Sequence, residues 1–337
     1  ATTDFSYLFP NSGYYTVKLQ ATGPACSREK TVQIHVKSPC GDPFFAATEY
    51  FINPNIISGE DLADLPDGSL ILCGRSGQQP IISRLDAVGN VIWNKVFDVS
   101  GLFNDIEPLP DGNFVLRGQT NSRLLLAKID PDGNVLWFQT LQNPDGFYNI
   151  EYGVNSVAAN PDGSFAFYFR GSNNSGAIGK MSASGTVDWV RYFPILQSIG
   201  GLRRATDGSE DFLVSTVAVL AGLEQLVLRI SQAGNLVKIY RYSLPQQTVE
   251  ITSTGYLGVH PDGDFSLVFV GGLASPTISE EKYLIRCQPD GQARWAKKIA
   301  TSGLTTSNVR AQYFPGGGWL ITDYKSNADN YLVRISE

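Results

Sequence analysis

Leu124-Leu-Leu-Ala-Lys-Ile-Asp-Pro-Asp-Gly-Asn-Val-Leu-Trp137 decides how the rest of this sequence is read. An apolar run of strand length meets a turn containing Asp-Gly-Asn, and a second short run ends on Trp. Glycine supplies the positive φ that a tight hairpin turn demands, and Asp and Asn favour turns through local side-chain bonds, so the stretch reads as an antiparallel hairpin. The same landmark returns at Gly89-Asn-Val-Ile-Trp93, Gly185-Thr-Val-Asp-Trp189 and Gly291-Gln-Ala-Arg-Trp295, and without its Trp at Gly234-Asn-Leu-Val-Lys238. Upstream of each copy lies another turn. These are Pro66-Asp67-Gly68, Pro110-Asp111-Gly112, Pro161-Asp162-Gly163 and Pro261-Asp262-Gly263, with weaker copies at Thr206-Asp207-Gly208 and Pro315-Gly316-Gly317.

Each copy therefore carries four short strands, a to d, with glycine marking the a–b and c–d turns. A repeat of about 40–50 residues built from four antiparallel strands is the signature of a propeller blade. Six copies predict an all-β, six-bladed β-propeller over 39–337, preceded by a partial β-sandwich segment over 1–38. The sixth copy stops after its third strand, Tyr331-Leu-Val-Arg-Ile335. Two ways of completing it stay open: the segment Phe44–Phe51 (FFAATEYF) supplies the fourth strand and removes two exposed sheet edges, or that strand lies beyond Glu337.

The Leu124–Trp137 stretch resembles the SBBP-type bacterial β-propeller repeat, and the likeness extends over residues 44–337. A weaker similarity links the Gly-x-x-x-Trp element to quinoprotein blades. Residues 1–38 resemble the second half of a PKD domain, on Tyr7-Leu-Phe-Pro-Asn-Ser-Gly-Tyr-Tyr-Thr-Val17 and Thr31-Val-Gln-Ile-His-Val36. That family's Trp-x-Phe-Gly-Asp-Gly segment is absent, and about 38 residues are too few for a sandwich core. Together the resemblances imply an extracellular or cell-surface location in a large secreted bacterial protein. The sequence opens mid-motif at Ala1, so it is expected to be a piece of a longer polypeptide.

Composition narrows the classes further. The net charge of −6 and pI near 5.1 argue against nucleic acid as a partner, and no apolar run is long enough to span a bilayer as a helix. His35 and His260 are the only histidines, which leaves little for a His-based triad or a His-rich metal site. Both read as surface or packing residues. No Gly-x-Ser-x-Gly elbow or phosphate-cradling loop occurs. Asp130-Pro-Asp-Gly-Asn134 lacks the downstream acidic ligand of a calcium loop. Paired carboxylates on the inner strands are the one route to hydrolase chemistry left open. No cofactor or metal is expected. Cys73 and Cys287 sit in apolar strands and read as small buried residues. Cys26 and Cys40 are near enough in sequence to pair, a question that needs distances.

The most regular polar feature is a cation five positions before each c–d glycine: Arg84, Lys128, Lys180, Arg229 and Arg286, with Arg334 in the sixth copy. A ring of cations for an anionic ligand is one reading. A contact repeated in every blade is the favoured one, with a carboxylate or the blade's own Trp as partner. Trp93, Trp137, Trp189 and Trp295 are read in the same way, as packing between blades rather than sugar-stacking surfaces. Trp319 falls where other copies carry Leu70, Phe114, Phe165 and Phe265, a core position.

Loop lengths carry the functional expectation. From a–b glycine to c–d glycine the separation grows from 21 residues (68 to 89) to 28 (263 to 291). The extra residues fall in the b–c and d–a loops, which share one face, and loops of varying length commonly carry binding function. Phe147, Tyr148, Tyr152 and Tyr256 are the candidate binding residues there. The leading expectation is a non-enzymatic adhesion or assembly module of a secreted surface protein or extracellular appendage, with other domains or subunits as partners. A glycan-binding propeller is the alternative, and a propeller hydrolase or quinoprotein the third reading.

Overall fold

The structure, a computed structural model, describes residues 13–22, 27–36, 58–87, 89–120, 123–141, 156–170, 176–196, 199–217, 224–243, 249–251, 255–273, 280–299, 310–314, 318–324 and 330–335. The chain divides into two compact units, Ala1–Ile52 and Asn53–Glu337. In the first, β1 (Gly13–Thr22) and β2 (Ser27–Val36) form an antiparallel hairpin in continuous register from Gly13↔Val36 to Thr22↔Ser27.

The second unit is a series of antiparallel meanders. Blade 1 holds β3 (Ser58–Asp64), β4 (Leu70–Ser76), β5 (Gln79–Leu85) and β6 (Val91–Val96). Blade 2 holds β7 (Leu102–Pro108), β8 (Phe114–Thr120), β9 (Arg123–Ile129) and β10 (Val135–Leu141), and blade 3 holds β11 (Val157–Ala159), β12 (Phe165–Arg170), β13 (Gly176–Met181) and β14 (Val187–Phe193). Blade 4 follows with β15 (Ile199–Arg204), β16 (Phe212–Val217), β17 (Glu224–Ile230) and β18 (Leu236–Ser243). Blade 5 has β19 (Val249–Ile251), β20 (Tyr256–Val259), β21 (Phe265–Leu273), β22 (Glu280–Cys287) and β23 (Ala293–Ile299). Blade 6 has β24 (Arg310–Phe314), β25 (Gly318–Tyr324) and β26 (Asn330–Ile335). The innermost strands β3, β7, β11, β15, β20 and β24 neighbour one another in turn. The unit is an all-β propeller.

Two details depart from six equal blades of four strands. Blade 5 gains a strand because β21 is extended, and its Gly271–Leu273 end pairs with β19 instead of running unpaired. Blade 6 has three strands among the described residues. The segment 44–51, read as its closing strand, lies outside the described residues, as do Cys26 and Cys40.

The turns follow one design. In blade 1 Leu65 N–H donates to Ser69 C=O and Gly68 N–H to Leu65 C=O. At the c–d turn Asp86 N–H donates to Asn90 C=O and Gly89 N–H to Asp86 C=O. This is a type I turn closed by a left-handed residue. The glycines that close it, Gly68 at φ 80° and Gly89 at φ 90°, occupy a region that a Cβ penalises.

The core lies between blades, not within them. Along β9, Leu125, Ala127 and Ile129 pack toward blade 1 with Ile71, Cys73 and Ile82, while Leu124 and Leu126 pack toward blade 3 with Phe165 and Phe167. Both faces of the strand are buried, which is why Leu124-Leu-Leu-Ala127 is continuously apolar and not alternating. Burial of each such leucine contributes about 1.5–3 kcal/mol. Comparable clusters join blades 3 and 4, 4 and 5, and 5 and 6.

Candidate functional site

The repeated cations lie directly across the c–d hairpin from the aromatic position. Arg84 pairs with Trp93, Lys128 with Trp137, Lys180 with Trp189, Arg229 with Lys238 and Arg286 with Trp295. Arg84 donates from Nη2 to Asp67 Oδ2 at 2.7 Å, and from Nη1 to Pro131 C=O at 3.3 Å and Asp132 Oδ1 at 3.4 Å. One side chain thus ties the a–b turn of its own blade to the c–d turn of the next, so both kinds of tight turn share a face. Lys128 repeats this with Asp111 Oδ2 at 2.7 Å and Ala183 C=O at 3.5 Å. Arg229 does so with Asp211 at 2.6 Å, Asp207 at 2.8 Å and Pro289 C=O at 3.3 Å. Arg286 holds Asp262 at 2.6 Å and Asp264 at 2.8 Å. Lys180 instead reaches Asp188 on its own outer strand, at 3.7 Å. The side chain of Arg334 lies outside the described residues.

The rings complete the same junction. The Trp93 ring lies so close over Gly133 that a Cβ there would sit 2.6 Å from Cη2. Trp137 covers Gly185 and donates from Nε1 to Ala183 C=O at 3.3 Å; Trp189 covers Gly234 and donates to Gln232 C=O at 2.9 Å. Blade 4 carries Lys238 at the Trp position, yet its junction is intact. Tyr240, two residues on and so on the same side of the strand, covers Gly291 and donates its hydroxyl to Pro289 C=O at 3.0 Å. Lys238 Nζ sits 4.9 Å from the Tyr240 ring centroid, as Lys95 sits 5.3 Å from Trp93, with cation and ring in exchanged order. Trp295 is half-buried beside the blade 5–6 cluster, with Lys297 Nζ 4.6 Å from its ring.

A second polar group lies on the inner strands, and it is not repeated. Asp61 Oδ2 accepts from the N–H of Ile106 in the next blade at 3.0 Å. Asp105 Oδ2 accepts from the N–H and hydroxyl of Ser156, one blade further on, at 2.5 and 2.6 Å. Asp61 and Asp105 are also hydrogen-bonded to each other, and burial first, then the Asp105 charge, push the Asp61 carboxyl well above the ordinary carboxylate range. Glu107 accepts from the N–H of Ala159. Burial raises it to about 7, Arg203 opposing the rise. Fully buried Arg117 donates from Nε to Tyr168 C=O at 2.9 Å and from Nη1 to Asn104 Oδ1 at 3.1 Å, while Nη2 has no hydrogen-bond partner among the described residues. Between blades 4 and 5 neutral groups do the equivalent work: Gln225 Oε1 accepts from Gly255 N–H at 2.8 Å, and Ser215 Oγ donates to Gly255 C=O at 2.5 Å. An inner strand is an edge strand, and these side chains cap backbone groups that no neighbouring strand pairs.

Of the loop residues proposed for binding, Phe147, Tyr148 and Tyr152 lie outside the described residues. Tyr256 does not sit on a loop. It opens β20, pairs with Val268 and is half-buried against the blade 5–6 cluster, because its position in the repeat is that of Asp61 and Asp105 on the inner strands. His260 is buried at its turn, bonded through Nε2 to Ser266 and through Nδ1 to Tyr313 Oη at 2.8 Å. Cys73 and Cys287 are buried free thiols, and Trp319 is a core residue. Among the described residues no group of three or more His, Cys, Asp or Glu side chains is arranged to hold a metal ion.

The sequence matches no protein-family model, and no curated protein matches it. Solved structures do resemble it. A protein of unknown function from Bacteroides caccae matches with a TM-score of 0.51 and 14% identity, over 80% of this chain and 89% of that one. A DUF4221 family member from Bacteroides vulgatus matches at 0.51 and 10% identity, over 85% and 95%. A protein from Lactobacillus plantarum matches at 0.52 and 12%, over 91% and 87%. At these identities the likeness speaks for the fold alone.

Proposed function

We propose that this chain is a non-enzymatic adhesion or assembly module of a large secreted bacterial surface protein or extracellular appendage. The observation that carries the reading is where the repeated polar groups are used. Arg84, Lys128, Arg229 and Arg286 are engaged with turn carboxylates, and Trp93, Trp137, Trp189 and Tyr240 with the next blade's glycine. The cations brace the a–b turns of their own blades, Arg84, Lys128 and Arg229 also reach a carbonyl of the next blade, and the rings cover that blade's turn, which leaves little on the tight-turn face for a ligand. Recognition then falls to the opposite face, where the loops vary in length and the sequence places Phe147, Tyr148 and Tyr152. Exposed aromatic side chains make effective anchors for a protein or glycan partner. The SBBP-type and PKD-like resemblances support the secreted, multidomain setting.

The test is binding to bacterial surface extracts, protein fractions and a glycan array before and after Phe147→Ala/Tyr148→Ala. A protein partner lost on substitution supports the assembly reading. A defined sugar lost on substitution moves the function to the glycan-binding alternative. Partners that bind both forms equally, or turnover of any sugar polymer, would reject it.

A further inference from the structure

We propose that Asp61, Asp105 and Glu107 form a proton-held latch across the inner strands of blades 1 to 3, closed while the group keeps its protons and opened when they leave. The geometry is a chain of interblade bonds: Asp61 to Ile106 N–H, Asp61 to Asp105, Asp105 to Ser156, and Glu107 to Ala159 N–H. Every link joins one inner strand to the next, and each capped amide depends on a carboxyl oxygen.

The charges around the group decide which way it switches. Blade 1 contributes Glu60 and Asp61 on β3 and the buried Cys73 thiol on β4; blade 2 contributes Asp105 and Glu107 on β7 and Arg117 on β8. Blade 3 presents Tyr168, and blade 4 presents Arg203 toward Glu107. While Asp61 keeps its proton it adds no charge beside Asp105, which lies within electrostatic reach of the buried Arg117. Loss of that proton places a negative charge on half-buried Asp61 directly beside the buried Asp105, and like charges at hydrogen-bonding range repel strongly. Glu107 has Arg203 as its counter-charge, but burial outweighs it. Ionisation therefore draws water and separation into the blade 1–3 inner junctions. The blade 4–5 junction is indifferent, because Gln225 and Ser215 do not titrate.

Residue-resolved amide hydrogen exchange on the intact chain tests this, at pH 5 and pH 8.5 with the intrinsic base-catalysed rate divided out. Protection at Ile106, Ser156 and Ala159 should fall at least about tenfold at pH 8.5 while Gly255 N–H keeps its protection. Glu107→Gln keeps the acceptor for Ala159 and removes the charge, so its Ala159 protection should no longer depend on pH. Asp61→Asn should do the same at Ile106. Equal protection at both pH values, an equal loss at Gly255, or variants that lose protection as the native chain does would each overturn the latch. Glu107→Gln carries the test alone if Asp61→Asn fails to fold.

Discussion

Carboxylates on the tight-turn face and carboxyls on the inner strands are the same chemical group under opposite regimes. At the turns, Asp162 is held below its ordinary value of 3.8 by the Ser164 hydroxyl and backbone N–H, with Lys180 assisting, and Asp67 by the Ser69 hydroxyl and N–H, with Arg84 assisting. On the inner strands burial dominates: Asp61 is pushed well up, and Glu107 rises from 4.5 to about 7. The difference lies in donors per oxygen. A turn aspartate meets several N–H and O–H groups and a nearby cation, whereas an inner carboxyl meets one or two amides and another acid. The first arrangement recurs in the blades because it belongs to the hairpin. The second occurs where three adjacent inner strands carry polar residues.

The largest expected effect comes from removing the centre of the inner group. Asp105→Ala strands the Ser156 N–H and hydroxyl and leaves Arg117 without its buried counter-charge, and it should cost about 3–5 kcal/mol in denaturant unfolding. A cost below about 1 kcal/mol would mean that the inner junction is wet and loosely held.

Next in size is a pair of glycines that separates backbone strain from packing. Gly112 and Gly133 have similar conformations, φ 80° and 74°, but nothing lies within 4 Å of a Cβ at Gly112, whereas Gly133 is under the Trp93 ring. Gly112→Ala should cost about 1 kcal/mol for the left-handed backbone alone. Gly133→Ala should cost about 2–4 kcal/mol, because the ring must also move. Equal values for the two would show that the ring does not seal the junction.

The two regimes also predict opposite pH limbs. A turn carboxylate with a lowered folded value contributes stability that is present above 3.8 and is lost as pH falls through the folded value. A raised carboxyl such as Glu107 contributes stability that is complete below 4.5 and is lost as pH rises toward about 7. Thermal unfolding across pH 2–9 should accordingly show Asp162→Asn flattening the acid limb only and Glu107→Gln the alkaline limb only. If either variant changes both limbs, the separation of the two regions fails.

Much of this was readable from residue order, and the exceptions have physical causes. The Pro-Asp-Gly and Gly-x-x-x-Trp landmarks reveal the strands and turns because positive φ restricts those positions to glycine. The cation five residues before each c–d glycine reveals a repeated contact, though its double duty between two blades is a spatial fact that no spacing contains. Blade 4 reads as having lost its aromatic residue. The period of two in a strand is the signal that Tyr240 replaces it from the same side. Asp61, Asp105 and Ser156 all stand seven residues before their a–b glycine, so the inner polar track was present in the repeat alignment. Tyr256 stands in the same register, which is why it belongs to an inner strand and not to a loop. What alignment alone does not supply is burial, and burial separates a solvated aspartate from one that keeps its proton.

The smallest predicted effect concerns the turn-face ion pairs themselves, which differ between blades. Among the described residues of blade 2, Lys128 pairs with a single carboxylate, Asp111, whose side chain is 41% exposed. In blade 4 Arg229 is forked between Asp207 and Asp211, both 14% exposed. Water and salt screen the first pair well and the second poorly. Asp111→Asn should therefore change stability by about 0–1 kcal/mol and lose even that effect in 1 M salt. Asp207→Asn leaves half of a guanidinium fork unmatched at a shielded site, and should cost about 1.5–3 kcal/mol with little dependence on salt. Measured side by side at low and high ionic strength, a salt-insensitive difference between the variants would show that the forked arginine fastens the a–b turn of blade 4 structurally. If both losses vanish in high salt, the repeated cations act only as a diffuse surface field, and the rings over glycine carry the junctions unaided.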